Sequence, residues 1–172
     1  MAATSSVCRA NFVFIEVDGN STYFTKVESV FRDVLEPLYG DQSKMISQIK
    51  LCSDRQCELL IADENPVGLI VYKKALQDEF AEFGVENSLE LKTLLLIDAK
   101  KNSGKGFGTT LINRVIEVAR KKHSNGVHVT VSEEVKTSKR FFSNKNFEIV
   151  HTWDGRYKPD SQEFLFFLRL AS

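Results

Sequence analysis

The amino-acid sequence predicts an α/β protein, a single domain built on a mixed, mostly antiparallel central sheet flanked by helices. Three observations carry this. Across 172 residues, 42% hydrophobic and 27% charged with only 9 Gly and 3 Pro, nothing marks a linker, a repeat or a low-complexity tract. Segments of period two are interspersed with segments of helical period in the order β-α-α-β-β-β-α-β-α-β-β. Strand runs that follow one another across turn signals imply hairpins, and the interspersed helices must then cover the faces of the sheet. A chain of this length buries roughly 70% of the surface that its unfolded form exposes, so no disulfide or metal is needed to hold the core.

Phe12 to Val17 alternates and ends at the turn signal Asp18-Gly19-Asn20, which makes it the first strand. Ser21 is placed to cap a helix whose apolar positions, Phe24, Val27, Phe31, Val34, Leu35 and Leu38, recur at three and four; Pro37 and Gly40 are expected to close it. Asp41 is the expected N-cap of a second helix through Met45, Ile46 and Ile49. Cys57 to Ala62 and Val67 to Lys73 read as two strands around Asn65-Pro66. Residues 75 to 87 form a long acidic connection, with Asp78, Glu79, Glu82 and Glu86 around Phe80 and Phe83, and loops of this length in compact domains are often functional. The strand Leu89 to Ile97 then runs into Ser103-Gly104-Lys105-Gly106-Phe107-Gly108. Phe107, Leu111, Val115, Ile116 and Ala119 share one face of the helix that follows, to about Lys122. Val127 to Val131 is a short strand, Ser132 caps a helix with Glu133 and Glu134 in its first turn, and Phe147 to Trp153 and Phe164 to Leu170 complete the sheet.

Charge balances overall, 23 Lys and Arg against 23 Asp and Glu, but not along the chain. Residues 1–86 hold 8 basic and 14 acidic side chains, residues 87–172 hold 15 and 9, and residues 100–145 hold 11 and 3. Cys8, Cys52 and Cys57 are an odd set with no second Cys or His pair at zinc-ligand spacing, which favours a reduced, cytoplasmic protein without a metal. His123, His128 and His151 are scattered over a helix end and two strands, and structural roles are expected for them. The first eleven residues lack the apolar run of a secretory leader, and no segment has the length and apolarity of a membrane span.

A strand that runs into closely spaced glycines and then a helix is a phosphate site on physical grounds, because the first helical amides are unpaired and the helix dipole is positive there. The segment is not a P-loop, since Lys105 is followed by Gly106 and not by Ser or Thr, and it lacks the βαβ unit and acidic residue of a dinucleotide site. With the element order, it resembles the acetyl-CoA site of the Gcn5-related N-acetyltransferases, whose signature is Arg or Gln, two residues, Gly, any residue, Gly or Ala. Ser103 stands where Arg or Gln is expected, and Gly106 and Gly108 are the glycines. The family's Asn-x-x-Ala-x-x-Phe-Tyr-x-x-x-Gly-Phe run is matched by Val135, Ser138, Phe141, Phe142, Asn146 and Phe147. The resemblance covers nearly the whole chain and implies one N-acetyltransferase-like domain over residues 1–172, its sheet splayed between the fourth and fifth strands.

The chemistry that the resemblance implies is direct attack of an amine on the thioester of acetyl-CoA. The pyrophosphate would sit on the amides of Gly104, Lys105, Gly106, Phe107, Gly108 and Thr109, close to Ser103, with Lys101 and Lys105 as phosphate contacts. The pantetheine arm would pair like a strand with Leu96, Ile97 and Asp98, near Ser138 and Phe142. Phe142 replaces the tyrosine that often serves the family as general acid, and phenylalanine has no proton to give. Ser132, Ser138 or Tyr157 could act in its place, or no enzymic acid at all, because a thiol leaving group has a pKa of only about 8.5. Keeping a lysine-like amine neutral at pH 7 costs about 4.6 kcal/mol, so a base is wanted. Glu90 is the candidate, set against the reading of an exposed strand-end glutamate.

The acidic connection and acidic first half suit a cationic acceptor: a polyamine, an aminoglycoside-like molecule, or a lysine or N-terminal amine of a protein. A monomer or homodimer is expected. Two other readings stay open. The basic second half would suit a toxin-like enzyme that acetylates aminoacyl-tRNA. The departures at Ser103, Val135 and Phe142 would suit a non-catalytic regulatory module that has kept the CoA site.

Overall fold

The structure, a computed structural model, describes residues 11–171; Cys8 and the expected absence of a leader lie outside the described residues. The strands are β1 (Phe12–Val17), β2 (Arg55–Ala62), β3 (Asn65–Lys73), β4 (Ser88–Leu96), β5 (Gly126–Ser132), β6 (Glu148–Asp154) and β7 (Gln162–Arg169). They form one sheet in the order β1-β2-β3-β4-β5-β7-β6. All neighbours are antiparallel except β4 and β5, whose parallel register joins only Ser88, Leu89 and Glu90 to Gly126, Val127 and His128. Past Glu90 the two strands separate, so the splayed, mostly antiparallel α/β sheet is as expected.

Helix α1 (Phe24–Val30) continues through a π-helical stretch, Phe31–Leu35, into α2 (Glu36–Tyr39), and α3 (Ser43–Leu51) follows. Their apolar side, including Val27, Phe31, Ile46 and Ile49, packs on Leu59, Leu69 and Val71 over one face of the sheet. The opposite face carries α5 (Phe107–Lys121) and α6 (Lys136–Asn144), which bring Leu111, Val115 and Phe142 against Leu89, Val129 and Phe166. A short helix absent from the sequence reading, α4 (Ala99–Asn102), stands before the glycine segment. No helix among the described residues is long and apolar enough to cross a membrane.

Several local expectations are corrected. Pro37 does not close its helix. Proline has no N–H and crowds the carbonyl four residues back, and the widened turn before it takes up the strain: the N–H of Glu36 reaches back five residues to the Phe31 carbonyl. The helix ends at Gly40. The β2–β3 turn lies on Asp63 and Glu64, both at positive φ as a two-residue hairpin turn requires, while Asn65 and Pro66 already belong to β3. Ser132 is not a helix cap. It pairs with Glu163 at the end of β5, its hydroxyl accepts the Glu134 N–H at 3.3 Å, and α6 starts only at Lys136, beyond Glu133 and Glu134. The acidic connection is anchored to the sheet: its Phe80 and Val85 pack on Leu165 and Phe167, on the face away from α5 and α6.

One buried charge ties α5 to the sheet. Glu58 of β2 is 1% exposed and accepts from Arg114 Nε (2.7 Å) and Nη2 (3.2 Å) of α5 and from the Tyr72 hydroxyl (2.6 Å) of β3. Burial and the Glu58 carboxylate push the Tyr72 phenol far above its ordinary range. Arg114→Met would strand this carboxylate without its cation. Urea unfolding is expected to show a loss of about 3 kcal/mol, with part of it recovered in the Glu58→Gln/Arg114→Met double variant. A loss of less than about 1 kcal/mol, typical of a surface pair, would contradict the assignment.

Candidate active site

The site grows from the place where β4 and β5 part. Gly126 opens β5 at a point where a Cβ would strike the Leu168 carbonyl and the Phe167 ring, so only glycine lets β7 come this close. The Ser88 hydroxyl donates to the Gly126 carbonyl (3.1 Å) and fixes the base of the split. Glu90 faces His128 at the last paired level. Just beyond, β3 pairs Tyr72 with Leu91 and Val71 with Thr93, which makes Lys92 the extra residue of a β-bulge. A bulge bends the strand that carries it. From this level onward the β5 side of β4 is unpaired.

Main-chain groups alternate in direction along a strand. The Ile97 N–H bonds the Val67 carbonyl of β3 (2.9 Å), so Leu94 and Leu96 turn theirs to the open edge. Of the three predicted pantetheine residues, Leu96 therefore lies on that edge. Ile97 is a core residue whose carbonyl is taken by Asn102 Nδ2 (2.6 Å), and Asp98, exposed and at φ 49°, leads into α4. The open edge thus carries Leu94 and Leu96, with Ile97 and Asp98 off it.

Past α4, Ser103 turns its hydroxyl back to the Ala99 carbonyl, away from the glycines. Gly104 and Gly106 have φ of 74° and 81°, a region that favours glycine, and Gly106 is the N-cap of the 15-residue α5. The Gly106 carbonyl takes the Thr110 N–H (3.1 Å), which leaves the amides of Phe107, Gly108 and Thr109 without helical partners at the positive end of the dipole. Lys145 donates to Thr109 Oγ1 (2.6 Å) and so brings a cation to these amides. Lys101 and Lys105 are exposed. With Lys26 they line a cleft of about 290 Å³ between the glycine segment and the β2–β3 turn.

The proposed acids are dispersed. Phe142 is buried among Phe141, Phe147 and Phe166, with ring centroids 5.2, 5.1 and 6.0 Å away. Ser138 is half-buried in the first turn of α6, and Tyr157 is exposed in the β6–β7 turn, 5.3 Å from the Arg156 guanidinium. Ser132 lies 3.3 Å, oxygen to oxygen, from Ser161.

Charges at the split are distributed unevenly. Glu90 is 6% exposed and lies 2.8 Å from Lys73 Nζ and 2.9 Å from Lys92 Nζ. Burial alone would raise its carboxyl, but the two ammoniums outweigh burial and hold it below the usual range. His128, 1% exposed, places Nδ1 2.8 Å from the Ser88 hydroxyl, and its Nε2 has no partner among the described residues. Burial brings its pKa down to about 4, so the imidazole is neutral near pH 7. Glu163, at the start of β7, is 8% exposed and forms no ion pair among the described residues. Burial raises its carboxyl against the opposing charge of Arg156, and nearby Glu134 adds to the rise. The same Glu163 raises the phenol of Tyr39 on α2, after burial.

The sequence matches no protein-family model and no curated protein. Solved structures, however, superpose over most of the chain. NAA60 of Arabidopsis thaliana in complex with a bisubstrate analogue is 17% identical with a TM-score of 0.75, covering 92% of this chain and 100% of its own. The same protein with acetyl-CoA is 16% identical with a TM-score of 0.74, covering 93% and 99%. The fold is that of the Gcn5-related N-acetyltransferases. A member of that family from Elizabethkingia anophelis with acetyl-CoA bound is 14% identical (TM-score 0.68, 94% of this chain and 100% of that one), and aminoglycoside 6′-acetyltransferase type Ii is 15% identical (0.72, 93% and 98%).

Within this acetyltransferase fold, four residues that sequence reasoning passed over stand at or beside the split: Lys92, Asn102, Lys145 and Glu163. Two had a signal. Glu90 and Lys92 alternate with Leu89 and Leu91, and Glu163 alternates with Phe164 ahead of Leu165 and Phe167, which places charge on inward-facing positions. Asn102 and Lys145 act through contacts, to the Ile97 carbonyl and to Thr109 Oγ1, that no local sequence pattern announces.

The neutral His128 has a consequence for stability. Unfolded, it takes a proton near its ordinary value of 6.5; folded, it resists until about 4, so the unfolded chain binds more protons in this window. Stability is full above the upper value and falls as pH drops through the window, by on the order of 3 kcal/mol. Chemical denaturation at a series of pH values should show this slope, flattened in His128→Asn; a slope of wild-type size in the variant would contradict it.

Proposed function

We propose that the protein is an acetyl-CoA-dependent N-acetyltransferase that passes the acetyl group directly to an amine. The observation that carries this is the junction of an unpaired strand edge, Leu94 to Leu96, with the free amides of Phe107 to Thr109 at the head of α5. An acyl donor with an amide-bearing arm and a diphosphate needs these two things in this order: main-chain partners for the arm, then an anion seat. The fold agrees, and relatives of that fold have been crystallised with acetyl-CoA bound.

In this reading Phe107 to Thr109, with Lys145 beside them, hold the phosphates, and the thioester lies in the split above Glu90 and His128. Glu90 is a poor base because it is already neutralised by two lysines. The base falls instead to Glu163, a buried carboxylate with no ion pair among the described residues, which together with Tyr39 also favours a cationic acceptor amine. Free Cys57, its thiol pushed up to about 12 by burial, is inert and fits a reducing compartment such as the cytoplasm. One observation favours a non-catalytic CoA-binding module: Phe142 is locked in an aromatic core and offers no acid.

Acetyl-CoA at 100 times its Kd should stabilise the fold by about 2.7 kcal/mol, a melting shift of about 5–11 °C. Gly106→Val, which forces a branched side chain to φ 81°, should abolish that shift. Thiol release over a panel of polyamines, aminoglycosides and peptide amines then tests transfer. No shift with acetyl-CoA or CoA would overturn the reading, and a shift without thiol release on any amine would leave the binding module.

A further inference from the structure

Beside the split the buried charges do not cancel. Lys73 of β3 and Lys92 of β4 both point to Glu90, and the imidazole opposite, His128, is neutral. The β3–β4 connection contributes only the neutral Gln77, 3.4 Å from Lys73 Nζ, and the Phe80 ring beside His128. From β7, the residue paired with His128 is Phe167. Two ammoniums thus share one carboxylate in a site that is largely shielded from water, with Glu90 93% and the lysines about three-quarters buried at their side chains. Unbalanced charge in such surroundings is costly unless an anion completes it. No described side chain does so.

Position along β4 decides which lysine faces the split. Leu89 and Leu91 are directed to the α5 face, so Glu90 and Lys92 lie on the other side, and Lys92 stands at the bulge, at the first level where β5 no longer pairs, whereas Lys73 is one strand further away on β3. We infer that Lys92 is the group that receives the negative charge of the departing thiolate, a role that Phe142, packed in the core on the α5 face, has no phenol to fill. The inference rests on the acetyl-CoA reading above. The acceptor nitrogen bonds to the carbonyl carbon, the carbon–sulfur bond breaks, and its electron pair stays on sulfur. The amine proton passes to Glu163 and from there to water. The thiolate is held by the Lys92 ammonium and takes a proton from water on release. Glu90 is then a positioning residue: it holds Lys92 at the split and tempers its charge.

The test uses coenzyme A itself on the full chain, with the ultraviolet absorbance of the thiolate followed against pH. Bound to the wild type, the thiol should ionise at least about one pH unit below its free value of about 8.5. In Lys92→Met it should return to the free value, and kcat should fall about tenfold or more with KM for acetyl-CoA little changed. Lys92→Arg should recover part of both. Glu90→Gln, which releases Lys92 from its counter-charge, should move the thiol to still lower pH, a direction that misfolding cannot imitate. A bound thiol that titrates alike in wild type and Lys92→Met, or a raised KM at unchanged kcat, would overturn this role alone. Failure of the wild type to bind coenzyme A would overturn the acetyl-CoA reading and this role with it.

Discussion

The arrangement depends on one constraint: the parallel pairing of β4 and β5 lasts three residues and stops at Glu90 opposite His128. Below that level the strands are locked by the close approach at Gly126 and by the Ser88 hydroxyl. Above it, a bulge at Lys92 bends β4, and the main-chain groups of Leu94 and Leu96 meet no strand. Main-chain groups on such an edge can pair with an extended ligand that brings amides of its own.

The surrounding elements serve that opening. The helix whose N-terminus carries the free amides is anchored by Arg114 to the buried Glu58, which fixes where those amides stand relative to the split. Asn102 clamps the Ile97 carbonyl and sets the short turn of α4, which aims the glycines. On the other face the connection between β3 and β4 lays Phe80 over His128, 5.4 Å between ring centroids, and shields the Lys73, Glu90 and Lys92 group. Low local dielectric strengthens every charge left there.

Much of this was legible in the sequence, and the exceptions have physical causes. The element order and the glycine turn follow from local periodicity and turn chemistry, which neighbouring residues determine. Pro37 misleads because a π-helical turn accommodates it, a solution that no composition rule anticipates. Ser132 has the residue type of a cap, but its pairing with Glu163 across β7 holds it in the strand, and such long-range pairing outweighs local preference. The acidic residues of the 75–87 connection point to a cationic acceptor, while its two phenylalanines are the part that packs it onto the sheet, which only the long-range contacts with Leu165 and Phe167 reveal. Glu90 was found by position; its partnership with Lys73, nearly twenty residues away on β3, needs the sheet register to be seen.

The central claim is that an acyl-CoA thioester fills the split and completes its open edge. Amide hydrogen exchange with and without acetyl-CoA tests this most directly. The account predicts strong slowing confined to the β4 edge at Leu94 and Leu96 and to the amides of Phe107, Gly108 and Thr109, with β1 and β2 unaffected. Slowing spread evenly over the sheet, or confined to the β1 edge with the split unchanged, would contradict it.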